Sequence, residues 1–244
     1  MTGTHNADGA DTGTKALSTA RRLSKRPEVV PYVAAREGEY GEREAMLGIR
    51  IARTGNPAGL RYLNEEPRDR YRGMLWARRS QNPGHDRMPT GRPQFAMVHP
   101  SRQRESMDTM LCQVCIAARA SHSAQGWLFV LPTAPDLPDS WPEGELTQHP
   151  PLCLRCARLA VKLCPALAEG HLTVRVRRPR LWGGVGALYR TGDGWRPELA
   201  AEGDIPVAFQ DKAAPWLLAS QLVRRLCACT PIDLKTEPDP GAVP

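Results

Sequence analysis

Long hydrophobic runs are missing from this chain. The longest, such as WLFVL at 127–131, fall far short of the roughly 20 apolar residues that span a bilayer. Residues 1–27, MTGTHNADGADTGTKALSTARRLSKRP, also lack the run of about seven or more apolar residues that a secretory signal needs. The expectation is a cytoplasmic protein with no membrane partner. Lysine is scarce as well: five of the 33 basic residues, the other 28 being arginine. With abundant Ala, Pro and Gly this suggests a GC-rich genome, which gives much of the arginine a compositional origin. Several catalytic signatures are absent too: no phosphate-cradling Gly-rich loop with Lys, no Gly-x-Ser-x-Gly elbow, no His-Glu-x-x-His. No catalytic residue and no small-molecule substrate is expected from these patterns.

What is present is a chain of 244 residues, 41% hydrophobic and 24% charged, enough for one or two packed domains. A net charge of +7 favours acidic partners, nucleic acid before an anionic membrane surface. Residues 43–104 hold 13 basic and five acidic side chains, a local excess that accounts for the whole net charge.

Residues 1–27 are polar and aperiodic and read as a disordered tail. The next region, 28–99, is basic, with brief strand candidates at 29–35, 46–52 and 74–77 between Gly, Pro and charged residues. A core over 100–170 opens with a helix at 100–111, capped by Ser101, and continues with a strand at 126–131. A loop rich in proline follows over 132–151, then an amphipathic helix over 154–163 that Pro165 stops. An extension over 171–230 begins with a clean alternation at 171–177. Leu172, Val174 and Val176 take one face of it, and His171, Thr173, Arg175 and Arg177 the other. Strand candidates at 184–189 and 205–209 precede a final helix over 215–226, read from Leu218, Leu222 and Leu226 at i, i+4, i+8. Residues 231–244 read as a loose tail.

Two Cys-x-x-Cys pairs, Cys112 with Cys115 and Cys153 with Cys156, are the most specific pattern in the chain. In a reducing compartment, paired cysteines bind metal or do redox chemistry more often than they form a disulfide framework. Two such pairs supply the four soft ligands of a closed zinc tetrahedron. The 37 intervening residues exceed the usual ribbon spacing. Each doubling of a loop, however, costs only about 0.6 kcal/mol, against the roughly 10–16 kcal/mol that structural zinc supplies. The first pair precedes a strand, as in a zinc knuckle. The second opens a helix, where amide N–H groups and the dipole favour thiolate. This order is the treble-clef arrangement, although Ile116 stands where a knuckle usually has glycine. Cys164, Cys227 and Cys229 lack a partner pair and read as buried small residues.

The enzyme class to test is the HNH nuclease, whose second pair also opens a helix in a Leu-Cys-x-x-Cys-Asn sequence. Here Ala157 replaces that Asn, and no Asp-His pair lies between the cysteine pairs. His122 is a poor substitute for the general base, and His149 reads as a loop residue before two prolines. For binding, Arg175, Arg177 and Arg178 are the candidate phosphate contacts, with Tyr62, Tyr71, Trp76 and Trp182 as candidate stacking platforms.

The segments VVPYVAA (29–35), GMLW (73–76), VHPSRQR (98–104), LCQVC (111–115) and HPPLCLRCAR (149–158) together resemble a family of uncharacterised proteins of Streptomyces and related actinobacteria, some of phage type. The resemblance implies a cytoplasmic actinobacterial origin and a mobile-element setting, and brings no activity with it. The expected fold is therefore α+β, with a treble-clef-like zinc core, mixed short strands, two to three short helices and a disordered N-terminus. Its expected work is nucleic-acid binding. An HNH-like nuclease and a protein-interaction adaptor are the alternatives.

Overall fold

The computed structural model describes residues 29–116 and 122–238, so the tail read over 1–27 lies outside the described residues. The first half contributes β1 (Ala34–Arg36), β2 (Leu47–Ile51), β3 (Pro57–Tyr62), β4 (Arg70–Tyr71), β5 (Met74–Trp76) and β6 (Pro93–Val98). Next come α1 (Pro100–Asp108), β7 (Trp127–Pro132), β8 (Leu146–Thr147), α2 (Leu154–Leu163) and the single turn α3 (Pro165–Ala168). The chain then runs through β9 (His171–Val176), β10 (Arg180–Thr191), β11 (Pro197–Ala208), β12 (Leu217–Arg225) and β13 (Cys229–Pro231). The architecture is α+β, and the strands expected at 46–52, 74–77, 126–131 and 171–177 are present as β2, β5, β7 and β9. Strands β10 and β11 extend well beyond the expected 184–189 and 205–209, and β3, β4, β6, β8 and β13 lie in segments not read as strand.

The final helix expected over 215–226 is instead β12, the spine of a six-stranded sheet ordered β11-β10-β12-β5-β4, with β8 also on β12. Positions 218, 222 and 226 share the period of 2 as well as the i, i+4 rows of a helix, so their leucines fit either reading. Tertiary pairing decides. One edge of β12 lies antiparallel to β10 along nearly its whole length. The other edge is completed in three pieces: β5 runs parallel at Leu218 and Ala219; the Gln103 amide bonds both backbone groups of Leu222; and β8 pairs at Arg224 and Arg225. Leu217, Ala219, Leu222 and Val223 are all buried. A helix would leave those backbone partners unmatched.

Glycine lets β10 sit this close to its neighbours. A Cβ on Gly183 would stand 1.9 Å from the Val207 carbonyl oxygen, and one on Gly186 would stand 2.1 Å from that of Leu218. Neither position tolerates a side chain.

A smaller three-stranded sheet, β13-β9-β7, carries the cysteine core. Both faces of β7 are covered, which explains its unbroken apolar run. Leu128 and Val130 pack with Cys112, Cys156 and Leu154 on one side. Phe129 and Leu131 pack with Val174, Val176 and Leu226 on the other. The segment 231–238, expected to be loose, is docked instead. Leu234 is buried in the cysteine core, Arg158 bonds the carbonyls of Leu234 and Glu237, and Arg175 pairs with the Glu237 carboxylate.

The helix α1 packs against β12 and leads into the first cysteine turn. Its N-cap is His99 rather than Ser101: the ring accepts the Arg102 N–H while its other nitrogen meets the Ser80 carbonyl at 3.1 Å. Burial lowers the His99 pKa, in keeping with a neutral ring that donates to Ser80. At the other end, Arg224 donates to the carbonyls of Met107 and Asp108, where a cation offsets the helix dipole.

Candidate metal centre

The first cysteine pair sits on the turn that follows α1. The Leu111 N–H returns to the Ser106 carbonyl, and the Ile116 N–H closes onto the Cys112 carbonyl at 3.1 Å. Ile116 takes a left-handed backbone, φ 42°, at the position where glycine is expected. Its side chain is buried against Tyr32 and Val33, and that contact offsets the strain of a β-branched residue in this region. The N–H groups of Tyr32 and Val33 strap the turn from outside by bonding the carbonyls of Val114 and Gln113. The sequence VVPYVAA is thus the brace of the knuckle.

The second pair opens α2. Cys153 is the N-cap, with no side-chain cap bond of the usual oxygen type. Its carbonyl accepts the Ala157 N–H at 2.8 Å, and Cys156 lies in the first turn. Two further backbone bonds hold the pairs in register: Gln113 N–H to the Pro151 carbonyl and Leu152 N–H to the Leu128 carbonyl. The treble-clef order is present, with a difference. The strand between knuckle and helix, β7, takes its antiparallel partner from beyond the helix, in β9.

The sulfurs of Cys112, Cys115, Cys153 and Cys156 all lie within 4.8 Å of one another, and those of Cys115 and Cys153 are 3.8 Å apart. Four sulfurs about 2.3 Å from a central zinc would stand about 3.8 Å apart, so the cluster fits such an ion. None of the seven cysteines forms a disulfide. Without a cation the cluster cannot ionise together. Hydrogen bonds from Cys112 and Cys156 pull the Cys153 pKa down, while contact with Cys153 pushes Cys112 up and contacts with Cys112 and Cys153 push Cys156 up. Four thiolates this close require a multivalent cation among them.

The arginine candidates fare differently. Arg177 and Arg178 are exposed. Arg175, expected beside them on a solvated face, is 3% exposed, because the docked tail covers that face of β9 and Glu237 takes the guanidinium. Two of the aromatic candidates, Tyr62 and Trp76, are core residues, with Arg78 and Arg104 over their rings. Much of the charge of 43–104 is likewise turned inward. Arg78 forks onto Asp69, Arg70 pairs with Glu65, and Arg102 pairs with Glu39 in full burial. Burial alone would raise the Glu39 carboxyl, but Arg102 and the N–H groups of Arg36 and Asn82 bring it down to about 2.

His122 is exposed and packs at a tilt against Trp127, with ring centroids 4.5 Å apart, and His149 is exposed in the loop before α2. Among the described residues, the four cysteines are the sole cluster of three or more groups able to hold a metal. Sequence reasoning missed the joint roles of His99, Arg102, Gln103 and Arg224. Apart from the local His99 cap on the Arg102 N–H, their partners lie 19 to 119 residues away, so spacing along the chain carries no sign of them. Comparison with family models, with curated proteins and with solved structures finds no match for this chain.

Proposed function

We propose that this chain is a binding protein organised by one structural zinc ion, and that its partner is nucleic acid. The observation that carries the reading is the closed set of four cysteine sulfurs. It comes from two tight turns braced by backbone bonds and leaves no coordination position for a reacting water. Cys112, Cys115, Cys153 and Cys156 would hold the ion, which when bound neutralises their thiolates and ties the knuckle to α2. The net charge of +7, together with exposed arginines such as Arg177 and Arg178, supports an anionic polymer as partner. The resemblance to phage-type actinobacterial proteins suits that partner.

Elemental analysis of the purified protein tests the centre. Near-stoichiometric zinc is expected in the wild type and its loss in Cys153→Ser; a metal-free wild type overturns the reading. Retention on immobilised single- and double-stranded DNA, falling steeply with salt, tests the partner. A second reading, a protein partner, is favoured by one feature. Among the described residues the strand β6 pairs only with β1 and leaves Phe95 and Met97 46% and 41% exposed. Salt-independent failure to retain DNA would move the assignment to that reading.

A further inference from the structure

The two sheets are joined by a pair of antiparallel segments. One is the connection from β9 to β10, the other that from β12 to β13. Their backbone bonding continues across the gap: Arg177 N–H to the Ala228 carbonyl, Arg178 N–H to the Cys227 carbonyl, then Arg180 opposite Arg225 as register partners. Arg177, Arg178, Arg180 and Arg225 are all exposed. None of the four makes an ion pair among the described residues. Like charges directly opposite one another on paired strands repel, yet Arg180 and Arg225 occupy that position. The carboxylate that Arg178 acts on, Glu143, is committed to the N–H groups of Ala228 and Cys229, and Glu145 lies on the same loop.

The join is also held firmly. Arg224 bonds the Pro179 carbonyl from one side and the end of α1 from the other, so the guanidiniums stand on fixed backbone. Trp182 lies half-buried beside them, its ring centroid 5.9 Å from the Arg225 guanidinium.

We propose that Arg178, Arg180 and Arg225, set side by side where the two sheets join, form a phosphate-contacting surface for nucleic acid. This rests on the nucleic-acid reading above and locates its surface. Three residues of extended chain cover about 10 Å, a span in which a duplex presents roughly six phosphate charges. Guanidinium forks match phosphate oxygens in pairs. An anionic membrane is disfavoured, because basic surfaces that lie on bilayers carry large apolar side chains among their charges. Among the described residues, the large exposed apolar side chains all lie outside this segment pair.

The test compares two triple variants of the full chain with equal loss of charge. Arg178→Ala/Arg180→Ala/Arg225→Ala removes the surface. Arg43→Ala/Arg53→Ala/Arg92→Ala removes exposed arginines elsewhere. Anisotropy of a fluorescein-labelled 20-nucleotide DNA, as single strand and as duplex, is titrated at several salt concentrations. The first variant should weaken binding about tenfold or more and flatten the slope of log K against log salt by roughly 2 to 3. The second should leave the slope within about 1 of wild type. The Tm of the first should stay close to that of wild type, since the relieved like-charge pair offsets the lost contacts of Arg225 with Trp182 and of Arg178 with Glu143. Equal losses of affinity and slope in both variants overturn the proposed surface while the nucleic-acid reading stands. A wild type that binds neither probe at low salt, or that sediments with phosphatidylserine vesicles instead, overturns both.

Discussion

The Glu39–Arg102 pair is fully buried and the four-cysteine cluster is half-buried, and the two balance charge in opposite ways. Around Glu39 the chain supplies both signs. Its carboxylate takes two bonds from Arg102 and two from backbone N–H groups, and the remaining Arg102 donors reach the carbonyls of Tyr32 and Ala34. Around Cys153 it supplies one sign only, so in the proposed zinc reading the balancing charge arrives with the ion. The body of the protein should therefore be self-sufficient, whereas the cysteine core should depend on metal. The two are mechanically linked all the same, because the VVPYVAA segment that braces the knuckle also carries the carbonyls that Arg102 holds.

Removing the metal should break this comparison most sharply. Structural zinc contributes roughly 10–16 kcal/mol, as much as the whole stability of an ordinary domain. Chelation is expected to abolish hydrogen-exchange protection in the 112–116 turn, α2, β7 and β9 while β10 and β12 keep theirs. Uniform loss across both sheets would show that the body is not self-sufficient.

Next in size, Glu39→Gln leaves Arg102 buried without its counter-charge, a loss of about 3–5 kcal/mol, read as a fall in the denaturant midpoint. The same pair predicts a pH dependence. The Glu39 carboxyl is held at about 2 in the folded chain against an ordinary 4.5. Its stabilisation is thus complete above about pH 4.5 and lost as pH falls through about 2. Acid titration of stability should be flatter in the variant than in wild type. An unchanged acid slope would remove Glu39 from the account.

The smallest effect belongs to Ile116. Replacement by glycine relieves a left-handed backbone worth about 1–2 kcal/mol but gives up burial worth about 2. Ile116→Gly is expected within about 1 kcal/mol of wild type. Ile116→Ala keeps the strain and loses the contact, so it should be the less stable of the two, the reverse of the usual order. Thermal melts that rank alanine above glycine would contradict the strained turn.

The four-cysteine cluster was legible in the sequence because its members come in pairs whose geometry is local. A Cys-x-x-Cys turn or a helix start fixes two sulfurs without help from the rest of the chain. Period 2 at 171–176 and the apolar run of β7 were legible for the same reason. The segment LLASQLVRR was not, since spacings of 4 satisfy both a helix and a strand; the six-stranded sheet chose strand by offering partners on both edges of β12. Nor could the sequence separate one arginine from another. By itself it determined the four cysteines, the overall positive charge and the α+β class, all of which depend on residue type and near neighbours. Only the tertiary structure decided that Arg175 and Arg102 lie inside, that 231–238 is docked, and that Arg180 stands opposite Arg225. Burial and charge pairing depend on what lies across space, and a one-dimensional pattern does not record it.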